Sequence, residues 1–233
     1  GKPSVLAPKV ATQCTLVDQG SDALDALKRL ADTLDAPAAP EVVTDLAAYP
    51  LGADAIDANE LGKVIANRLP EHAIVCDEAA TNGLGAFLLT TNAPPHDWLT
   101  LTGGAIGQGL PLAVGAAIAC PDQKVIALEA DGSGMYTVQA LWTMVREQLD
   151  ITVVLLNNRS YAILNIELSR VGVEQPGPTA LSLLDLSNPD LEWTDIARGM
   201  GMQALKVETV AAFDQAFADA AAQKGPCLIE VML

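Results

Sequence analysis

Residues 124–161 decide the fold: KVIALEADGSGMYTVQALWTMVREQLDITVVLLNNRSY. The apolar run Lys124–Glu129 and the β-branched run Ile151–Leu156 predict two strands, with a helix at Thr137–Gln148 between them. Short apolar strands that alternate with helices are typical of a parallel sheet covered on both faces. Ligands bind to such sheets beyond the carboxyl ends of the strands. We therefore expect the functional site in the segments that follow these two strands.

The same alternation extends over residues 54–233 and predicts one α/β domain with a central parallel sheet flanked by helices. The other predicted helices are Asn59–Leu69, Ile106–Ala119, Tyr161–Val171, Trp193–Met200 and Val210–Gln223. The other predicted strands are Ala73–Cys76, Ala204–Val207 and Cys227–Met232.

The first 53 residues have a different pattern. Val10–Val17 predicts a strand, and Ser21–Leu34 predicts an amphipathic helix with Ser21 as its N-cap. One strand and one helix cannot bury a core alone, so residues 1–35 are predicted to be the end of another domain, which the resemblance described below implies is the C-terminal piece of a central domain. Residues 36–53 carry three prolines among Ala and Val, which predicts a linker.

Composition excludes several classes of function. The 233 residues contain 13 Lys+Arg and 29 Asp+Glu, and a net charge of −16 disfavours binding to nucleic acid or to anionic membranes. Apolar runs such as Leu110–Cys120 are shorter than the about 20 residues that span a bilayer. No basic segment precedes an apolar stretch at the start, and the four cysteines form no C-x-x-C pair, so we expect a cytoplasmic protein with free thiols and without a signal peptide. The chain begins at Gly1, which suggests a processed product or a fragment.

The two post-strand segments together carry a specific pattern. Ala130-Asp131-Gly132 follows the first strand, Asn157-Asn158 follows the second, and 24 residues separate Gly132 from Asn157. Taken singly, both are common turns. Together they resemble the thiamine diphosphate fingerprint, which is Gly-Asp-Gly, a spacer in the mid-twenties, and Asn-Asn. Ala130 replaces the first glycine, a change that matters only if that position needs a positive φ.

The resemblance implies a divalent cation that holds a diphosphate. Mg²⁺ prefers oxygen ligands, and the implied metal ligands are the Asp131 carboxylate, the Asn158 amide and the Ser160 backbone carbonyl. Gly132 would let the backbone approach the phosphate, and Ser133 opens a segment whose free N–H groups favour an anion. The metal supplies the positive charge, so no basic side chain is needed.

Two further segments extend this resemblance. Thr102–Pro111 resembles the glycine-rich entry to a helix beneath the cofactor, where the Gly104 carbonyl would accept a hydrogen bond from the aminopyrimidine. Ile106 would hold the cofactor in a bent V, so these two residues carry the predicted catalytic, positioning role. The loop Asp77–Thr81 would reach the diphosphate through Thr81 and the Ala80 backbone. The implied cofactor-binding residues are Ala80, Thr81, Gly104, Ile106, Asp131, Gly132, Ser133, Asn158, Ser160 and Tyr161. The alternative is a core helix whose small residues allow close packing.

The nearest branch of the family contains decarboxylases and carboligases that act on 2-oxo acids. Three segments resemble benzoylformate decarboxylase: Ala140–Thr143, Ile196–Lys206 and Lys224–Val231. Two segments resemble acetolactate synthase large subunits: Thr100–Gly115 and Asn158–Gly172. The implied activity is that of a lyase or transferase most like acetolactate synthase, dependent on thiamine diphosphate and Mg²⁺, in which decarboxylation precedes carboligation. A simple decarboxylase of the benzoylformate type is the alternative, and binding of FAD is left open.

The family takes its catalytic glutamate from a separate pyrimidine-binding domain. Glu78, Glu129 and Glu167 do not lie in the motif of that glutamate. We therefore expect this chain to be inactive without a pyrimidine-binding domain, supplied by a longer parent chain or a partner subunit, in a homodimer or homotetramer. A non-catalytic cofactor-binding or subunit-interaction domain is the alternative of another class.

Overall fold

The computed structural model describes residues 12, 14–38, 48–52, 55–173 and 175–233. The chain forms two compact units, residues 1–44 and residues 45–233. In the first unit, helix α1 spans Ala23–Thr33 and begins at the N-cap Asp22, whose side chain accepts the N–H groups of Leu24 and Asp25. The prediction of Ser21 as N-cap is therefore wrong by one residue, because the aspartate carboxylate takes these two donors.

Part of the predicted N-terminal elements lies outside the described residues. Within the predicted strand Val10–Val17, residue 12 and residues 14–17 form no strand, and the rest is outside the described part. The predicted linker 36–53 is described at 36–38 and 48–52, where neither helix nor strand forms. The assignment of residues 1–35 to another domain stays a prediction.

The second unit is built on a six-stranded parallel sheet with strand order β2-β1-β3-β4-β6-β5. The strands are β1 (Ile74–Asp77), β2 (Asp97–Thr100), β3 (Val125–Ala130), β4 (Ile151–Asn157), β5 (Gln203–Val207) and β6 (Cys227–Met232). Ala130 pairs with Leu156 and Asn157 pairs with Met232, so β3, β4 and β6 end at one edge. The predicted fold class, a parallel α/β sheet, is confirmed.

Helices cover both faces of this sheet. They are α2 (Ala58–Arg68), α3 (Leu84–Leu89), α4 (Gly109–Ala119), α5 (Asp131–Gly134), α6 (Ala140–Arg146), α7 (Ala162–Arg170), α8 (Pro178–Ser182), α9 (Trp193–Gly199) and α10 (Val210–Ala222). Successive strand residues point to opposite faces. Leu128 and the strand residues that point to the same face pack with α2 and α10. Ala127 and the strand residues that point to the opposite face pack with α4, α6 and α9. None of the described helices is long and apolar enough to cross a membrane.

The structure differs from the predicted elements mainly at loops and edges. The helix predicted from Ile106 begins at Gly109, because Gly107 adopts a φ of +88° in the preceding turn. The helix predicted from Thr137 begins at Ala140, after a 3₁₀ turn at Met135–Thr137. Strand β2 was not predicted; its short polar sequence lies at the exposed edge of the sheet.

Candidate functional site

A cavity of about 610 Å³ opens beyond the carboxyl ends of the central strands. Its lining comes from the loops after β1, β3 and β4, from the glycine-rich segment before α4, and from α7 and the end of α8. The lining includes all of the predicted cofactor-binding residues: Ala80, Thr81, Gly104, Ile106, Asp131, Gly132, Ser133, Asn158, Ser160 and Tyr161. The structure therefore brings together residues from four separate segments of the sequence.

Asp131 lies in the floor of this cavity with one carboxylate oxygen unpaired. Its Oδ1 accepts the N–H of Gly132 at 3.0 Å, and its Oδ2 is buried with no hydrogen-bond partner among the described residues. Burial raises the pKa of Asp131 to about 6. A buried carboxylate oxygen without a partner is stabilised by a proton or by a bound cation.

Ala130, which precedes this aspartate, has a φ of −102°. Alanine adopts this extended conformation without strain. The position therefore does not need the glycine of the fingerprint, and the replacement leaves the turn after β3 intact.

Gly132 is constrained by Tyr161, a contact that the sequence did not predict. A Cβ atom at Gly132 would lie 2.5 Å from Cε1 and 2.7 Å from Cδ1 of the Tyr161 ring. No side chain fits at that distance, so the aromatic ring itself requires glycine here. Tyr161 thus joins the loop after β3 to the loop after β4.

The loop after β4 is held by its own side chains. Asn158 Oδ1 accepts the N–H of Ser160 at 3.0 Å, and Asn157 Oδ1 accepts the N–H of Arg159 at 3.1 Å. Arg159 has a φ of +55°, and its guanidinium pairs with Asp190. These bonds fold the loop so that Asn158 and Ser160 line the cavity with Asp131.

Two carboxyl groups, Glu78 and Glu129, are buried next to each other, and Glu78 is one of the residues that line the cavity. The Glu78 oxygens accept the N–H groups of Gly107 and Gly109, and the Ser133 hydroxyl donates to Glu129. Burial, and then the charge of Glu78, raise the pKa of Glu129 to about 8. The Oε2 of Glu129 is buried with no hydrogen-bond partner among the described residues, so these surroundings favour the protonated acid, a state that the sequence analysis did not predict.

The glycine-rich segment forms an open turn rather than the start of a helix. Gly103, Gly104 and Gly107 all have positive φ, and the Thr137 hydroxyl donates to the Gly107 carbonyl at 3.0 Å. The Gly104 carbonyl accepts the N–H of Ile106 at 3.0 Å, so one of its two lone pairs remains for a ligand. The Ile106 side chain lines the cavity and is 46% exposed.

The loop after β1 presents Ala80 and Thr81 to the same cavity. The Ala80 N–H donates to the Glu78 carbonyl at 3.0 Å. The Ala80 N–H is therefore already used within the loop, and its carbonyl is an acceptor that cannot bond to a diphosphate oxygen directly, so the predicted backbone contact of Ala80 with the diphosphate stays a prediction.

The fold and this cavity define a parallel α/β domain with a cavity at the carboxyl edge of its sheet, where ligands bind in such folds, and Asp131, Asn158 and Ser160 are among its lining residues. Residues 78–231 match the family described as thiamine pyrophosphate enzyme, C-terminal TPP binding domain. The chain belongs to this family, which confirms the resemblance seen in the sequence. Thiamine pyrophosphate is the same molecule as thiamine diphosphate.

Relatives and solved structures agree with this assignment. A Mycobacterium tuberculosis protein named as an acetolactate synthase large subunit, IlvX, is 47% identical over the whole chain and over 45% of its own length. Benzoylformate decarboxylase of Pseudomonas aeruginosa is 31% identical over 70% of the chain and 29% of its own length. The structure of a thiamine diphosphate-dependent 4-hydroxybenzoylformate decarboxylase from Rhodococcus jostii superposes with a TM-score of 0.72 at 27% identity, covering 89% of this chain and 38% of that one. The chain therefore spans less than half the length of these relatives.

Proposed function

We propose that this chain supplies the diphosphate- and Mg²⁺-binding half of the active site of a thiamine diphosphate-dependent enzyme that acts on 2-oxo acids. The reaction is that of an acetolactate synthase-like lyase or transferase, in which decarboxylation is followed by carboligation. The observation that carries the proposal concerns Asp131, whose Oδ2 is buried and has no hydrogen-bond partner among the described residues. Asp131 lines the cavity together with Asn158 and Ser160.

The residues present fit a metal-bound diphosphate. Asp131, Asn158 and Ser160 offer a carboxylate, an amide and a backbone oxygen, the hard ligands that Mg²⁺ prefers. No Lys or Arg stands among the residues that line the described cavity, so these residues bring no positive charge to an anionic ligand. A cation bound to Asp131 would supply that charge.

The chain's own residues orient the cofactor and shield it from water. The cofactor, when bound, supplies the electron sink for cleavage next to a carbonyl group. Ile106 would set the angle between its rings, and the free lone pair of the Gly104 carbonyl would accept a hydrogen bond from its pyrimidine. Apolar side chains at the mouth, among them Ile163 and Leu164, would exclude water from the reacting carbon.

The remaining parts of the proposed enzyme lie elsewhere. The pyrimidine-binding domain and its glutamate would come from a longer parent chain or a partner subunit, in a cytoplasmic homodimer or homotetramer. The 45% coverage of the tuberculosis relative supports a parent of more than one domain.

A second candidate is a simple 2-oxo-acid decarboxylase. It is favoured by the solved structures, since the Rhodococcus enzyme and a benzoylformate decarboxylase from Polynucleobacter necessarius both superpose on the chain, the latter with a TM-score of 0.60. A non-catalytic cofactor-binding domain is the third possibility.

Product analysis separates the three functions. The full protein that carries this chain is incubated with thiamine diphosphate, Mg²⁺ and either pyruvate or benzoylformate. The proposal expects acetolactate and CO₂ from pyruvate. Benzaldehyde from benzoylformate, without acetolactate from pyruvate, supports the decarboxylase instead. Cofactor binding without CO₂ release from either acid would contradict catalysis.

A further inference from the structure

Glu230 is a fully buried carboxylate in β6, away from the cavity lining. Its Oε1 accepts the side-chain amide N–H of Asn157 at 2.8 Å, and its Oε2 accepts the backbone N–H of Thr194 at 3.3 Å. Lys206 on the edge strand lies 3.4 Å from Oε1. A buried carboxyl group is tolerated when partners surround it, and Glu230 has two hydrogen-bond donors and the ammonium group of Lys206 nearby.

The partner of Glu230 is the residue that begins the metal-binding loop. Asn157 is buried, and its amide is held at both ends: Nδ2 donates to Glu230, and Oδ1 accepts the N–H of Arg159. The Asn157 carbonyl accepts the N–H of Leu233 at 3.0 Å. Asn157 does not line the cavity itself, but the next residue, Asn158, does.

We propose that Glu230 is a positioning residue for the metal site. Through Asn157 and the Arg159 N–H, it sets the course of the loop that presents the Asn158 amide and the Ser160 carbonyl beside Asp131. The inference rests on the proposed function, because it assigns a metal to these three residues. Residues that orient metal ligands through one hydrogen bond change metal affinity by about 10- to 100-fold when they are replaced.

The donor count predicts the effect of Glu230→Gln. Asn157 Nδ2 and the Thr194 N–H are both donors, and a glutamine amide offers only one acceptor oxygen, so one donor meets the new NH₂ group. If Asn157 turns its amide to avoid this contact, its NH₂ group then faces the N–H of Arg159. Every arrangement that keeps the Thr194 N–H bonded therefore disturbs the loop, and we expect thiamine diphosphate binding at subsaturating Mg²⁺ to weaken by about 10- to 100-fold.

Exchanging the amide of Asn157 and the carboxyl group of Glu230 restores every hydrogen bond among Glu230, Asn157, Arg159 and Thr194. In the double variant Asn157→Asp/Glu230→Gln, the new amide donates to the new carboxylate, whose other oxygen still accepts the Arg159 N–H. The amide oxygen at position 230 accepts the Thr194 N–H, and Lys206, whose side chain is 34% exposed, can turn to water. We expect the double variant to bind within about threefold of the original chain, because the two sites are strongly coupled.

Lys206→Gln is the matched control. It removes a charge next to Glu230 without touching Asn157, so it tests the loss of electrostatic support alone. We expect reduced resistance to denaturant and unchanged cofactor affinity.

The experiment titrates thiamine diphosphate by calorimetry at several Mg²⁺ concentrations, in the full protein, at a temperature where unfolding curves show all variants folded. Weak binding by Glu230→Gln with recovery in the double variant supports the inference. Unchanged binding by Glu230→Gln, or failure of the double variant to recover, overturns it.

Amide hydrogen exchange at Arg159 reads the loop in cofactor-free protein. Faster exchange in Glu230→Gln and recovery in the double variant are expected, and equal exchange in all variants overturns the loop assignment. Absence of cofactor binding by the original chain would instead refute the proposed function, so the two failures are distinguishable.

Discussion

The floor and the mouth of the cavity are built differently. In the floor, Asp131, Ser133 and Glu78 are buried, and all three are hydrogen-bonded: Glu78 to the glycine-rich segment, and Asp131 and Ser133 to residues close by in the chain. At the mouth, the apolar side chains of Leu164 and Leu183 are 45% and 73% exposed. The floor is thus complete within this chain, whereas the mouth presents an apolar surface to solvent. This contrast supports a division of labour in which the chain anchors the diphosphate and other parts of the protein enclose the reacting end.

Replacing Asp131 should have the largest effect on the floor. Asp131→Ala removes the only side-chain carboxylate proposed as a metal ligand, so cofactor affinity should fall by about 100-fold or more. Because burial raises the pKa of this group to about 6, its charge destabilises the metal-free fold at neutral pH. The variant should therefore unfold at the same or a higher denaturant concentration, as followed by circular dichroism. Gross loss of structure would mark Asp131 as structural.

Ile106→Ala should separate positioning from anchoring. Ile106 lines the cavity and is proposed to position the cofactor and not to anchor its diphosphate, so its loss should lower the single-turnover rate by about 100-fold through misplaced reacting groups. The dissociation constant of the cofactor, measured in parallel, should change far less. A rate unchanged at saturating cofactor, together with weaker binding, would show that Ile106 only packs the cavity.

The Glu78–Glu129 pair makes the stability of the floor depend on pH. The pKa of Glu129 rises from 4.5 to about 8, so the folded state holds a proton that the unfolded chain releases. The free energy of unfolding should therefore fall as pH rises from 4.5 to about 8, and the contribution of this one proton to stability should be fully lost above about pH 8. Glu129→Gln mimics the protonated acid and should flatten the dependence by about 1 kcal/mol or more, compared at about pH 6 and about pH 9. If the free energy of unfolding depends on pH equally in Glu129→Gln and in the original chain, the raised pKa of Glu129 is contradicted.

Leu183→Ala should have the smallest effect. Leu183 is 73% exposed at the mouth, so stability in denaturant should change by less than about 0.5 kcal/mol, and cofactor affinity should stay the same. It is the matched control for Ile106→Ala. Loss of cofactor affinity in Leu183→Ala would show that the mouth contributes to anchoring and would remove the contrast with the floor.

The strand ends could be predicted because the sequence of a buried parallel strand is a continuous run of apolar residues. Lys124–Glu129 and Ile151–Leu156 correspond to β3 and β4, and the polar residues after them meet at one edge because the strands are parallel. Strand β2 carries no such signal, since an exposed edge strand of four residues needs no apolar pattern.

Contacts between distant segments could not be predicted from local patterns. The Tyr161 ring against Gly132 and the bond from Asn157 to Glu230 depend on how separate strands align in the sheet. One such contact has a signal in the sequence: Glu129 is an ionisable residue inside an apolar strand, and such a residue requires a buried partner. The sequence did not identify that partner as Glu78, which lies at the end of a different strand.

Calorimetric titration of the full protein with thiamine diphosphate, with Mg²⁺ and with EDTA, tests the central claim most directly. The lining of the described cavity offers an unpaired carboxylate oxygen and no basic side chain, so binding should require the metal. The account predicts saturable binding with Mg²⁺ and an affinity lower by about 100-fold or more in EDTA. Equal affinity in both conditions would contradict the metal site formed by Asp131, Asn158 and Ser160.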